Sequence, residues 1–256
     1  MDNNIDISSW ILCGACLLSL LGAIWSLAPW RRTGRLRREP EAESDEAADS
    51  LPPLTVVVYA EGSQEELDLC VERLEQQDYD PLQIVIVCRA TAESRDLLAG
   101  RYADRPNVYV TFIPPGSHNL SERKLAITVG LKAAIGDIVL TTASNIRPAS
   151  PQWLRQMAEP FADPEVEMVL GYSHMDFSEM QGPGRWYRQF DSTAIAGQWI
   201  GYALGARPYR GDGYNLAFRK RTFFAHKGYA RNIFLHYGDD DLFVNEVATG
   251  RNTRLC

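Results

Sequence analysis

From Leu54 to Ser150, short runs of β-branched and other apolar residues alternate with stretches of helical periodicity, and no other feature narrows the fold as far. Leu54-Thr55-Val56-Val57-Val58-Tyr59-Ala60 reads as a strand. Ser63 with Glu66, followed by Leu67, Cys70 and Leu74, matches a capping box that opens an amphipathic helix. Tyr79-Asp80-Pro81 ends it, and Leu82 to Cys88 is the next strand. A helical stretch from Ala92 to Tyr102 leads to a third strand, Val108 to Ile113. Lys124, Leu125, Val129, Lys132 and Ala133 mark the stripe of a further helix, Gly136-Asp137 breaks it, and Ile138-Val139-Leu140 follows as a short core strand. This β-α-β-α-β order calls for right-handed crossovers and a largely parallel sheet. Ligands of such sheets collect outside the carboxyl ends of the strands, so Thr141 to Arg147 stands where a substrate would be held.

Beyond this core, Pro151 to Phe161 reads as a helix and Val166 to Tyr172 as a strand. Gly182 to Gly205 is rich in aromatics, with Trp186, Tyr187, Phe190, Trp199 and Tyr202. An amphipathic helix packed on the sheet or lying in a membrane interface accounts for them. No internal repeat is present.

The N-terminal part has a different character. After a short tail of residues 1–8, the span 9–30 (Ser9 to Trp30) is uncharged and rich in Leu, Ile, Ala and Trp. It matches the roughly 20 residues that a membrane-spanning helix needs. Arg31, Arg32, Arg35, Arg37 and Arg38 follow it, whereas Asp2 and Asp6 precede it, which by the positive-inside rule leaves the body of the protein on the cytoplasmic side. A cleaved signal peptide would carry its positive charge before the apolar run and end in small residues. The segment 31–50 is a basic and then acidic linker, because Glu39 to Ser50 holds no apolar residue larger than Ala and cannot repay the entropy of folding. Residues 51–256 can build one sizeable core. A net charge of −7 argues against nucleic acid as a partner. Cys13 and Cys16 lie in the apolar run and read as lipid-facing packing, while Cys70 and Cys88 read as buried thiols of a reducing compartment.

Lys124, Gly130 and Ala134 on the helix, then Arg147-Pro148-Ala149-Ser150-Pro151 and Trp153 after the strand, form a series that continues at Gly211-Asp212-Gly213-Tyr214-Asn215-Leu216-Ala217-Phe218-Arg219 and at Gly238-Asp239-Asp240-Asp241-Leu242-Phe243. In this order the series resembles the family-2 glycosyltransferases, especially the membrane-anchored bacterial kind, over most of Leu54 to Cys256. The resemblance implies an α/β fold of the GT-A (nucleotide-diphospho-sugar transferase) type: a mixed, mostly parallel sheet flanked by helices, here joined to one N-terminal transmembrane helix. It also implies a nucleotide-sugar donor, an envelope polysaccharide or lipid-linked acceptor, a divalent cation (Mg or Mn), and a place at the bacterial inner membrane. In the family the aromatic region of Gly182 to Gly205 faces the acceptor. Members continue past the point matching Cys256, so a chain ending there, apparently inside a helix, is expected to be a piece of a longer one.

The same resemblance assigns the site residues. A sugar transfer must neutralise a diphosphate leaving group and deprotonate an acceptor hydroxyl, tasks for a cation held by carboxylates and for a carboxylate base. The family's Asp-x-Asp falls on Ala143 and Asn145 when aligned on Arg147-Pro148, so the cation's usual ligands are missing. Glu61-Gly62-Ser63 stands where the family commonly has Asn-Glu, and Cys88-Arg89-Ala90 where it has an Asp for the base. Arg89 and Lys124 are therefore the candidates to meet the diphosphate directly. Asp239 is the expected acceptor base with Asp240 its rival, and repulsion within Asp239 to Asp241 is expected to raise one of the three pKa values. An acidic helix N-terminus is the plainer account of the cluster. Asp212 and Asn215 are substrate-binding candidates, Asn215 either bonding the donor sugar or holding its loop, and Tyr214 replaces a family Arg. His118, His174, His226 and His236 lack metal-ligand spacing. The reading is an inverting transferase. The alternative is an inactive relative serving as a membrane-tethered scaffold for a protein partner. A dehydrogenase-type nucleotide module is set aside because no Gly-x-Gly-x-x-Gly follows the first strand.

Overall fold

The computed structural model describes residues 7–33, 52–89, 92–117 and 119–256. Two helices open it, α1 (Ile7–Ser26) and α2 (Ala28–Thr33). The stretch Trp10–Thr33 is long and apolar enough to cross a membrane, with a mean hydropathy of 2.2 and no part of its apolar window buried. Asp2, Asp6, Arg35, Arg37, Arg38 and the acidic linker lie outside the described residues.

The alternation that begins at Leu54 gives β1 (Leu54–Tyr59), α3 (Gln64–Glu75), β2 (Leu82–Cys88), α4 (Ala92–Arg101), β3 (Val108–Phe112), α5 (Glu122–Ala133) and β4 (Ile138–Ala143). The capping box of α3 is formed, with Ser63 accepting from the Glu66 amide and the Glu66 side chain accepting from Ser63 N–H. A short helix α6 (Trp153–Ala158), a 3₁₀ turn over Glu159–Ala162, β5 (Met168–Leu170), the long helix α7 (Pro183–Leu204), β6 (Leu216–Arg219), α8 (Lys220–Ala225), α9 (Asp241–Val247) and β7 (Thr253–Leu255) complete the described chain.

These strands form one seven-stranded sheet of order β3-β2-β1-β4-β6-β5-β7. β1 pairs parallel with β2 and β4, and β2 with β3. β6 runs antiparallel to both β4 and β5, and β7 lies parallel to β5. The expected mixed, mostly parallel sheet is what forms. Both faces are covered, which is why β1 reads as a continuous apolar run. Val56 and Val58 face a core made with α3 and α6 (Leu67, Leu74, Leu154, Met157), and Val57 faces a second core with Ile127, Leu131, Trp199, Phe223 and Phe243.

Two sequence expectations change. The buried face of α5 is Lys124, Ala126, Ile127, Gly130 and Leu131, whereas Lys132 is exposed. Gly130 sets this phase, because a Cβ there would stand 2.3 Å from Val57 Cγ1, so the helix approaches β1 along its glycine. The chain also reaches Cys256 on a strand and not inside a helix: β7 pairs Thr253 with Met168 and Leu255 with Leu170. Cys70 and Cys88 are buried, and burial pushes their thiols up to about 12 and about 11.

Candidate functional site

The carboxyl ends of β1 and β4 are tied together. Ser144 Oγ accepts from Glu61 N–H at 3.0 Å and donates to the Glu61 carbonyl, and Ser144 N–H donates to the Tyr59 carbonyl. Ser144 is thus consumed by the scaffold, Ala143 is buried, and Asn145 is exposed beyond the strand end. No carboxylate stands at this position, and among the described residues no cluster of His, Cys, Asp or Glu is arranged to hold a metal ion. A cation held by the Asp-x-Asp arrangement does not fit these side chains.

One residue of β4 reaches across to the glycine loop. Thr141 Oγ1 donates to the carbonyls of Gly213 (3.2 Å) and Leu216 (3.3 Å). Asp212 closes the loop on itself, its two carboxylate oxygens accepting from Ser173 N–H (2.8 Å) and Tyr214 N–H (3.0 Å). Burial raises the Asp212 pKa, and the charge of Asp240 adds to the rise. Asn215 Oδ1 accepts from the Trp153 indole N–H at 3.0 Å, and its amide donates to the Tyr172 carbonyl. Of the two roles left open for Asn215, holding the loop is the one its contacts serve.

The acid motif is aimed by Gly238, whose φ of +79° is a left-handed turn that suits glycine. Asp240 then caps the short helix α9, accepting from Asp241 N–H, while its other oxygen accepts from Gly213 N–H at 3.0 Å. Asp239 turns the other way. Its Oδ2 lies 2.6 Å from Nε of Arg123, with both side chains largely buried, and the Arg123 guanidinium carbon sits 4.1 Å from the centre of the Tyr214 ring. Burial works against the Arg123 charge, but Asp239 and Tyr214 outweigh it and hold the guanidinium above its ordinary pKa. Gly213 leaves room for this arrangement, since a Cβ there would meet Asp239 Oδ2 at 2.8 Å and Arg123 Nη2 at 3.1 Å. The raised pKa expected within the acidic run is at Asp241, through burial and the charges of Asp240 and Asp239, against the opposing pull of Arg210.

The two cations expected at a diphosphate are engaged elsewhere. Lys124 is fully buried, and its Nζ donates to the carbonyls of Asn232 (2.9 Å), Leu235 (3.0 Å) and Tyr237 (2.9 Å). It pins the loop that leads into the acid motif. Arg89 is mostly exposed and ion-paired with Glu122, which also accepts from the Tyr59 hydroxyl at 3.4 Å. Arg123 is the charge that sequence reasoning missed, and its guanidinium stands against the Tyr214 ring. A signal existed: Arg123 and Lys124 put two cations into the first turn of α5, where the helix dipole disfavours them.

The same architecture occurs in solved structures. A mannosyltransferase, PcManGT from Pyrobaculum calidifontis in complex with GDP-Man and Mn2+, superposes with a TM-score of 0.62 at 20% identity, over 94% of this chain and 66% of its own. S. aureus TarS 1-349 in complex with UDP superposes with a TM-score of 0.56 at 14% identity, over 80% of this chain and 57% of its own. The same protein in complex with UDP-GlcNAc gives the same TM-score and identity. The fold is GT-A. Within this GT-A frame the chain spans under two thirds of the length of each of these structures. No protein-family model matches the sequence, and no curated protein matches it.

Proposed function

We propose that this chain is a membrane-anchored family-2-like glycosyltransferase of the bacterial inner membrane, with its GT-A domain facing the cytoplasm, that moves a sugar from a nucleotide-sugar donor to an envelope polysaccharide or lipid-linked acceptor. The observation that carries the reading is the meeting of Asp239, Asp240 and Arg123 with the Asp212 to Asn215 loop beyond β4. In the proposed step the acceptor hydroxyl oxygen attacks the anomeric carbon, the bond from that carbon to the diphosphate breaks, and the anomeric configuration inverts. The acceptor proton passes to Asp239, and the electron pair leaves with the diphosphate. Arg123 orients Asp239 and offers the leaving group the guanidinium that stands beside that base, with Arg89 and Lys124 as contributors to the positive field. Asn145, Asp212 and Asn215 line or shape the donor side. The exposed Phe234, Leu235 and Tyr237, just before Asp239, suit an acceptor with an apolar part.

The absence of carboxylates at Ala143 and Asn145, together with Asp239 engaged by Arg123, favours a second reading: an inactive relative that binds a partner protein at the membrane as a scaffold.

Calorimetric titration of the detergent-solubilised full chain with uridine and guanosine diphosphates, with and without manganese, separates the two. Binding, followed by sugar transfer that disappears in Asp239→Asn, supports the transferase. A folded sample that binds neither nucleotide under either condition overturns it in favour of the scaffold.

A further inference from the structure

Arg123 and Asp239 are joined by one hydrogen bond where two are possible. Nε of Arg123 donates to Asp239 Oδ2 at 2.6 Å, and among the described residues Nη1 and Nη2 donate to no group and Asp239 Oδ1 accepts from none. The exposed pair of Arg101 and Asp68 shows the alternative within the same chain: Nε of Arg101 donates to both carboxylate oxygens, at 2.9 and 3.1 Å, and Nη2 meets Oδ2 as well. A guanidinium is a planar fork of five N–H donors, and a carboxylate that meets it squarely occupies two of its nitrogens. Asp239 takes the side of the fork and leaves its end open, although the Arg123 side chain is only 15% exposed.

That open end is held in place. The Tyr214 ring supports the guanidinium at 4.1 Å, and Gly213 lies beside Nη2, where a Cβ would stand 3.1 Å away. The charges of Arg123, Arg89 and Glu61 all act on the Tyr59 hydroxyl, so Arg123 shares the neighbourhood of the carboxyl end of β1. Ligands of an open α/β sheet gather outside such strand ends. Two adjacent nitrogens with unpaired N–H groups and a full positive charge select an anion that presents two oxygens on one face, as a diphosphate does. Water screens a largely buried pair weakly, so an anion at the Nη end competes with Asp239 for the same positive charge.

We propose that Arg123 is one cation shared by two anions, held by Asp239 in the free protein and drawn to the donor's diphosphate on binding, so that arrival of the donor loosens the grip on Asp239 and releases that carboxylate to act. This rests on the transferase reading. The two anions then oppose each other, and a chain without the Asp239 charge binds a diphosphate more tightly than the parent. The test titrates uridine and guanosine diphosphates calorimetrically into the detergent-solubilised full chain at one pH and salt concentration. Asp239→Asn is expected to bind at least about fivefold tighter than the parent, and the same change in an Arg123→Gln background to alter affinity less than about twofold. Arg123→Lys keeps a cation for Asp239 but has no second edge, and is expected to lose about tenfold or more in affinity. If Arg123→Gln does not fold, the parent, Asp239→Asn and Arg123→Lys still decide the matter. An equal gain from Asp239→Asn in both backgrounds would show plain repulsion between carboxylate and diphosphate and overturn the sharing. No gain from Asp239→Asn, or an Arg123→Lys that binds as the parent does, overturns it too, with the transferase reading left intact. A folded parent that binds neither nucleotide removes that reading and this proposal together.

Discussion

Asp239 Oδ2 and Arg123 Nε stand 2.6 Å apart beneath the Tyr214 ring, although one begins the acid motif and the other begins α5. Because both side chains are largely buried, removing one leaves the other charged and unpaired. Arg123→Leu should cost roughly 3 kcal/mol at pH 7 in urea unfolding. The double variant Arg123→Leu, Asp239→Leu should cost less than the sum of the singles, and simple additivity would contradict a direct pair.

Gly213 fits because nothing larger does. Gly213→Ala should push Asp239 and Arg123 apart, at a cost of about 1–3 kcal/mol from overpacking. If the pair belongs to a working site, nucleotide binding or turnover should fall further than stability does, and a variant as active as the parent would separate the pair from the chemistry.

Lys124 hydrogen-bonds its loop through backbone carbonyls. In Lys124→Met the carbonyls of Asn232, Leu235 and Tyr237 lose a charged donor, which should cost about 1.5–3 kcal/mol. Hydrogen exchange read by mass spectrometry should quicken from Tyr229 to Tyr237 and stay unchanged in β1 and β2. Unchanged exchange in that loop would show that the ammonium does not pin it.

Asp68 gives the fold an acid-sensitive strut. The guanidinium of Arg101, with Tyr102 and Gln64, holds its carboxyl at about 2, below the ordinary 3.8. A carboxylate lowered by folding contributes stability that is fully present above its unfolded pKa and is lost as pH falls through the folded one. Asp68→Asn should therefore melt below the parent at pH 6, and the gap should close as pH falls from about 4 to about 2.

Much of this was legible from the chain. The strands β1, β2, β3 and β4 and the capping box of α3 appear from local periodicity, because both faces of the sheet demand apolar residues. The phase of α5 did not, since a pattern of hydrophobicity has no place for a lysine that is wholly buried by bonding three carbonyls. The Arg123 to Asp239 pair joins two distant segments, and neither neighbourhood reveals the other. The lack of a carboxylate at positions 143 and 145 is legible in the chain, but only the structure reveals that Ser144 between them is spent on tying β4 to β1.

The grip of Lys124 on carbonyl oxygens has an evolutionary corollary. Every residue type presents the same carbonyl, so Phe234, Leu235 and Tyr237 can be rewritten without loosening the turn that aims Asp239. A lineage can then change the side chains on this rim while Asp239 behind it stays in register, which makes the loop a place where surface chemistry drifts and geometry does not.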